Sequence, residues 1–244
     1  MPKAIPPGGY SPGKLNRLPK EMATLKDRIM GPDEEETKHL SFELGTRLFQ
    51  MGDDIESYTW LKDGANDGNV EAAYECGFTH YMGIGARREQ NLRLAKTFFV
   101  KASEGGHARA QFFLGEIYEA ERRHPQLAAD EYEKAAAQGH TRAHFMLGKL
   151  LMRGMERGEE PKAEDVAKGR AHLEAAADLG HVKAKVALAG LCEADDEPRA
   201  ISLYTAAARA GDDIAQRKVA TYFKAGVVKS CPSNWRAHLY NASV

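Results

Sequence analysis

Glycine recurs at positions 68, 106, 139, 180 and 211, and four residues after each stands an alanine: Ala72, Ala110, Ala143, Ala184 and Ala215. The chain therefore copies itself at spacings of 38, 33, 41 and 31 residues. Periods of about 20 to 50 residues mark solenoids, propellers or arrays, in which each unit buries its apolar face on its neighbour. This repeat restricts the possible folds more than any other property of the sequence.

The repeat carries further columns in register with the turn glycine. Four and three residues before it lie Gly64 and Ala65, Ala102 and Ser103, Ala135 and Ala136, Ala176 and Ala177, and Ala207 and Ala208, all small. Eleven before it lie Ser57, Ala95, Ala128, Gly169 and Ala200, each followed four later by a bulky apolar residue: Leu61, Phe99, Tyr132, Leu173 and Tyr204. Nine residues past the turn come Gly77, Gly115, Gly148, Ala189 and Ala220, preceded by Cys76, Leu114, Leu147, Leu188 and Val219, with Leu44 and Gly45 starting the series. Apolar residues three and four apart, as in Phe112, Leu114, Ile117 and Tyr118, predict amphipathic helices. Each unit reads as helix A, loop, helix B and glycine turn, with no strand signal and with the turn glycines at offsets suited to a left-handed helix end. A glycine inside a helix costs about 1 kcal/mol against alanine. Its recurrence in helix A predicts a crossing too close for a side chain, so Gly115→Leu is expected to overpack.

The blocks CGFTHYMGIGARREQNLRLAKTFFVKASEGGHARA (76–110) and LGEIYEAERRHPQLAADEYEKAAAQGHTRA (114–143) resemble SEL-one-like repeats, a tetratricopeptide-like α/α class. The likeness spans about residues 37–225. It implies a right-handed superhelix that acts as a non-catalytic adaptor or assembly scaffold. The expected architecture is an all-α solenoid of about five helix-turn-helix repeats plus a C-terminal half repeat. Its parts are an extended N-terminal arm at 1–32, the solenoid at 33–225 and a cap at 226–244, where Trp235, Leu239 and Tyr240 cover the last apolar face. Departures from the family pattern are Ala189 and Ala220 in the helix A glycine column, Gly64 in the small pair, and a loop inserted near RGMERGEEPKAED.

The 244 residues hold 34 basic and 35 acidic side chains, a net charge of −1, so the global positive field usual in nucleic-acid binders is missing. A local basic patch stays open. Cys76, Cys192 and Cys231 form no CxxC pair and no disulfide framework, which favours free thiols in a reducing compartment, with Cys76 in a core column. No apolar run approaches the roughly 20 residues of a membrane helix, and no signal-peptide core is seen at the start. The expected location is the cytoplasm or an organelle matrix such as the mitochondrial one, without secretion or membrane insertion. Six Lys or Arg against Glu21 and Asp27 in the first 30 residues leave a transit peptide open. The Pro-rich start fits that reading poorly.

Five prolines and three glycines in the first twenty residues exclude a regular helix there. This segment reads either as a disordered tail or as an arm laid on a partner or on the solenoid. In the second reading a short helix presents Leu18, Met22, Leu25 and Ile29, with Leu15, as one apolar stripe. Asp33, followed by three glutamates, reads as the N-cap of the first repeat helix.

His107, His140 and His181 each follow a turn glycine. A metal bridging equivalent residues fails on distance, because metal–nitrogen bonds are about 2.1 Å while packed helices lie about 8–10 Å apart. The column reads as a helix-start contact. Gly83 and Gly85 lack the strand that a dinucleotide loop requires and belong to an A-to-B loop. Asn241-Ala242-Ser243 matches a glycosylation acceptor without a secretory signal. No catalytic set, cofactor loop or metal cluster can be assembled from spacing.

Two helix A columns change freely between units. The first is Glu43, Glu75, Phe113, Met146, Ala187 and Lys218; the second, three residues later, is Thr46, Phe78, Glu116, Lys149, Gly190 and Thr221. They share one helical face and are expected to face a partner protein in a concave groove, with Glu43, Glu75, Phe78, Phe113, Glu116, Met146 and Lys149 as contacts and Phe78, Phe113 and Met146 as apolar anchors. Phe113 and Met146 also fit additional core. The function expected is a protein-protein interaction scaffold or adaptor, a subunit of a larger assembly. A nucleic-acid-binding repeat would need basic residues along the groove, where Glu43, Glu75 and Glu116 stand. An enzyme would need convergent catalytic groups.

Overall fold

A computed structural model of the protein describes residues 24–25, 28, 34–84, 89–121, 125–153, 162–232 and 235. Among these there are eleven helices and no strand: α1 Glu34–Gln50, α2 Asp54–Asn66, α3 Val70–Met82, α4 Leu92–Glu104, α5 Ala108–Glu121, α6 Pro125–Ala137, α7 Thr141–Leu151, α8 Ala163–Asp178, α9 Val182–Cys192, α10 Glu197–Arg209 and α11 Asp213–Lys224. Odd-numbered helices are the expected helices A and even-numbered ones the helices B. The chain divides into two compact units, Met1–Ile117 and Tyr118–Val244. Asp33, Leu18, Met22, Ile29, Gly85, Leu239, Tyr240 and Asn241 lie outside the described residues.

The turn glycine belongs to a joint that ends one helix and starts the next. Gly68 (φ +90°), Gly106 (+84°), Gly139 (+78°), Gly180 (+89°) and Gly211 (+93°) adopt the left-handed region, which only glycine enters without strain. The residue after each glycine does double duty. Its backbone N–H donates to the carbonyl of the first small residue of the pair, as from His107 to Ala102 (3.0 Å), His140 to Ala135 (3.1 Å) and His181 to Ala176 (2.9 Å), closing the C-terminus of helix B. Its side chain then accepts the N–H of the trailing alanine. The Nδ1 atoms of His107, His140 and His181 accept from Ala110, Ala143 and Ala184 at 3.1, 3.2 and 3.2 Å. Asn69 and Asp212 do the same for Ala72 and Ala215 through Oδ1, both at 2.9 Å. The histidine column is therefore an N-cap column, a position Asn and Asp fill equally well.

Helix A crosses helix B of its own hairpin at the glycine column. A Cβ built on Gly45 would lie 2.7 Å from Leu61 Cγ, on Gly77 2.6 Å from the Phe99 ring, and on Gly148 2.8 Å from Leu173 Cγ and 2.9 Å from the Gly169 carbonyl. The bulky column of helix B thus occupies the room a helix A side chain would need. The small column of helix B meets helix A backbone at the same crossing: Ser57 Oγ donates to the Gly45 carbonyl at 2.7 Å. A Cβ on Gly169 would sit 3.1 Å from the Gly148 carbonyl. All five residues of the bulky column, all ten of the small pairs and all five trailing alanines are buried.

The core is distributed along the repeats. In the second unit one cluster joins Leu173, Ala176, Ala184, Leu188, Cys192 and Ala200. The next joins Ala189, Tyr204, Ala207, Val219 and Ala220, covered by Cys231 and Trp235. In the first unit Leu25 is 7% exposed and packs with Leu40, Leu44 and Leu48 of α1. Its side chain is thus spent on this chain's own core, the solenoid-docked alternative for that residue. The three cysteines are free and buried. Burial pushes the Cys76 thiol up to about 12.

Candidate partner-binding surface

On α3 and the start of α5 the variable columns assemble an aromatic and acidic face. Phe78 and Phe113 lie with ring centroids 5.5 Å apart, and Tyr81 joins Phe113 at 5.0 Å. Beneath them Phe99 stacks on Phe113 at 5.5 Å and 12°. Phe78 and Phe113 are half-buried, as is Met146 on α7. Neighbouring rings cover part of Phe78 and Phe113, because aromatic side chains in one column of adjacent helices find each other. Glu116 accepts a hydrogen bond from Tyr81 Oη at 3.2 Å. Glu75 is half-buried, and burial first, with Glu71 adding, pushes its carboxyl above the usual range against the opposing pull of Arg109. Glu43 on α1 pairs within its own helix with Arg47 at 2.5 Å. Lys149 is exposed, its ammonium 5.9 Å from the centroid of Phe145.

Sequence reasoning missed part of this surface. Tyr74, one turn before the Phe78 column, stacks on His107 (4.3 Å, 18°), and the Arg109 guanidinium sits 4.7 Å over the Tyr74 ring. Burial pushes the Tyr74 phenol up to about 12, and its oxygen has no hydrogen-bond partner among the described residues. The signal was present in a third freely varying column, three residues past the turn glycine: Glu71, Arg109, Arg142, Lys183 and Ile214. Positions three, seven and ten past the turn form one continuous helical stripe.

In the second unit that stripe borders a groove of about 490 Å³ between α7, α9 and α11. Phe145, Met152, Leu173, Val186, Leu191 and Ile214 supply apolar walls, while Lys149 and Lys183 stand at its edge with Asp212. Beyond the groove Glu193 accepts from Lys218 Nζ (2.6 Å) and Tyr204 Oη (2.5 Å), which hold its carboxyl below the usual range. Among the described residues no helix is long and apolar enough to cross a membrane, and no group of three or more potential metal ligands is present.

Helical hairpins joined by matching glycine turns, with small columns inside and freely varying columns on one face, define a helical-repeat protein. The chain belongs to the Sel1 repeat family, which matches residues 70–107, 108–140, 141–181 and 188–212, more than half of its length. The α1–α2 hairpin precedes the first match and shows the same Gly45 to Leu61 crossing. Two solved structures share the α/α solenoid fold. A Sel1 repeat protein from Oxalobacter formigenes is 22% identical, with a TM-score of 0.67 over 92% of each chain. A protective antigen of uropathogenic Escherichia coli displaying an SLR fold is also 22% identical, with a TM-score of 0.69 over 84% of this chain and 44% of the antigen. A chitin synthase regulator, SKT5 of Malassezia restricta, is 36% identical over 78 residues, 32% of this chain. The chain spans only 5% of that regulator's length. Sel1 repeat proteins generally mediate protein–protein interaction and are typically non-catalytic scaffolds.

Proposed function

We propose that this protein is a non-catalytic adaptor and a subunit of a larger protein assembly, and that it contacts its partner through the stripe at positions three, seven and ten of helices A. The observation that carries this reading is the division of labour within helix A. Columns that fix the hairpin hold small or matching residues, whereas Glu75, Phe78, Phe113, Glu116, Met146 and Lys149 change character from unit to unit. Half-buried rings beside carboxylates and ammonium groups match the composition of interface cores with charged rims. The partition into an N-terminal arm, a solenoid and a C-terminal cap belongs to the same reading, supported by the burial of Leu25 on α1 and of Trp235 on the last cluster. The partial likeness to a protein named as a regulator of an enzyme suits an adaptor.

A photo-crosslinking amino acid placed at Thr46, Phe78 or Lys149 of the full chain is expected to trap partner proteins. At Thr97 on α4 or Lys168 on α8, exposed positions of helices B, it is expected to trap none. Cross-links confined to Thr97 and Lys168 would overturn the proposal.

A further inference from the structure

We infer that the α7–α9–α11 groove takes an acidic, apolar segment of a partner protein, an inference that rests on the proposed reading of helices A as the contact face and gives it a chemistry. The walls are apolar and Ile214 is 53% exposed at the rim, so an occupant gains by burying its own apolar side chains there. Charge then selects among apolar segments. At positions three, seven and ten, α7 carries Arg142, Met146 and Lys149, α9 carries Lys183, Ala187 and Gly190, and α11 carries Ile214, Lys218 and Thr221. These nine positions hold four cations and no carboxylate; Lys149 and Lys183 line the groove itself, and Lys218 is paired with Glu193.

The nearby acids are already committed. Asp212 accepts the Ala215 N–H at the start of α11 (2.9 Å), and Glu193 is bound by Lys218 and Tyr204. Among the described residues no carboxylate lies within ion-pair distance of Lys149 or Lys183. Two exposed ammonium groups edging an apolar groove complement carboxylates that flank apolar anchors, an arrangement that speeds encounter and fixes register. In the first unit the corresponding positions of α3 and α5 read Glu71, Glu75, Phe78, Arg109, Phe113 and Glu116. That face carries the opposite sign, so the groove's preference does not extend to the whole chain, whose net charge of −1 conceals both patches.

The test pans a random-peptide library displayed on phage over the full-length chain, with counter-selection on the K149E/K183E variant. Both lysines are exposed, so the variant is expected to keep the parent's circular dichroism and melting curve; K149E alone serves if it does not. The expected peptides combine two or more apolar residues with Asp or Glu. Their affinity should fall by about tenfold or more on the variant and decline between about 50 mM and 500 mM salt as the lysines are screened. Ile214→Asp should abolish binding independently of salt. Enrichment of neutral or basic peptides, no enrichment, equal affinity for K149E/K183E, or selective binding of a DNA or RNA oligonucleotide probe to the same lysines would each overturn the inference. Photo-crosslinking in the two backgrounds separates it from the wider proposal. Cross-links at Phe78 that persist while the groove selects no acidic peptide sink the groove chemistry alone, whereas loss of all helix A cross-links sinks both.

Discussion

The capping histidines act through a bare Nδ1, and a protonated ring offers no acceptor there. His181→Ala should cost about 1 kcal/mol in urea unfolding, while His181→Asn, which copies Asn69, should cost only a few tenths. Acidity acts in the same direction. Burial, aided by Arg142 and Lys183, lowers the pKa of His181. Burial likewise lowers His144 and His172, whose Nδ1 atoms lie 3.0 Å apart so that one must donate and the other accept. In all three the unfolded chain takes up the proton more readily than the folded one. Their stabilisation is thus complete above the ordinary value of about 6.5 and is lost as pH falls below it. The urea midpoint should be level from about pH 8 to 7 and fall towards pH 5, and His172→Gln should flatten that fall. A midpoint independent of pH in the parent protein would count against the neutral pair.

Within each hairpin the decisive quantity is the room at the crossing. Gly77→Ala gains about 1 kcal/mol of helix propensity but drives a methyl to 2.6 Å from the Phe99 ring, and overpacking of that kind costs about 1–3 kcal/mol. The variant should melt lower. Gly190→Ala, in α9 with its nearest neighbour Tyr204 Oη at 3.7 Å, should melt higher by the propensity gain alone. The glycines that build crossings were legible in the sequence because a recurring helix-interior glycine has no other sufficient cause. The variable face was legible in part. Its second and third positions were found because they flank the glycine column, whereas Glu71, Arg109 and Lys183 lie one turn nearer the joint and were hidden behind the capping residues. The partial cover of Phe78 was not legible, since it depends on rings from different helices meeting in space, whereas Phe113 fitted additional core from its sequence position.

The cysteines report on each compact unit. Cys76 lies in the first unit and Cys192 and Cys231 in the second, all 4% exposed or less. Labelling by a thiol reagent should therefore wait for local opening. Gly77→Ala should speed the labelling of Cys76 far more than that of Cys192, because repeat units draw their stability from nearest neighbours. Equal acceleration at both would mean that the chain opens as one cooperative body.

The joint has one more consequence. His140 and His181 occupy the same place relative to Thr141 and Val182, and the small pairs before them, Ala135 with Ala136 and Ala176 with Ala177, are identical. Excising residues 141–181 leaves His140 three residues ahead of Ala184, the spacing His181 has now. Such a shortened protein should remain helical and monodisperse. Ends that match this closely are interchangeable, so a gene encoding such a chain can grow or shrink by copying or dropping whole segments, and the length of the protein becomes a heritable variable separate from its chemistry.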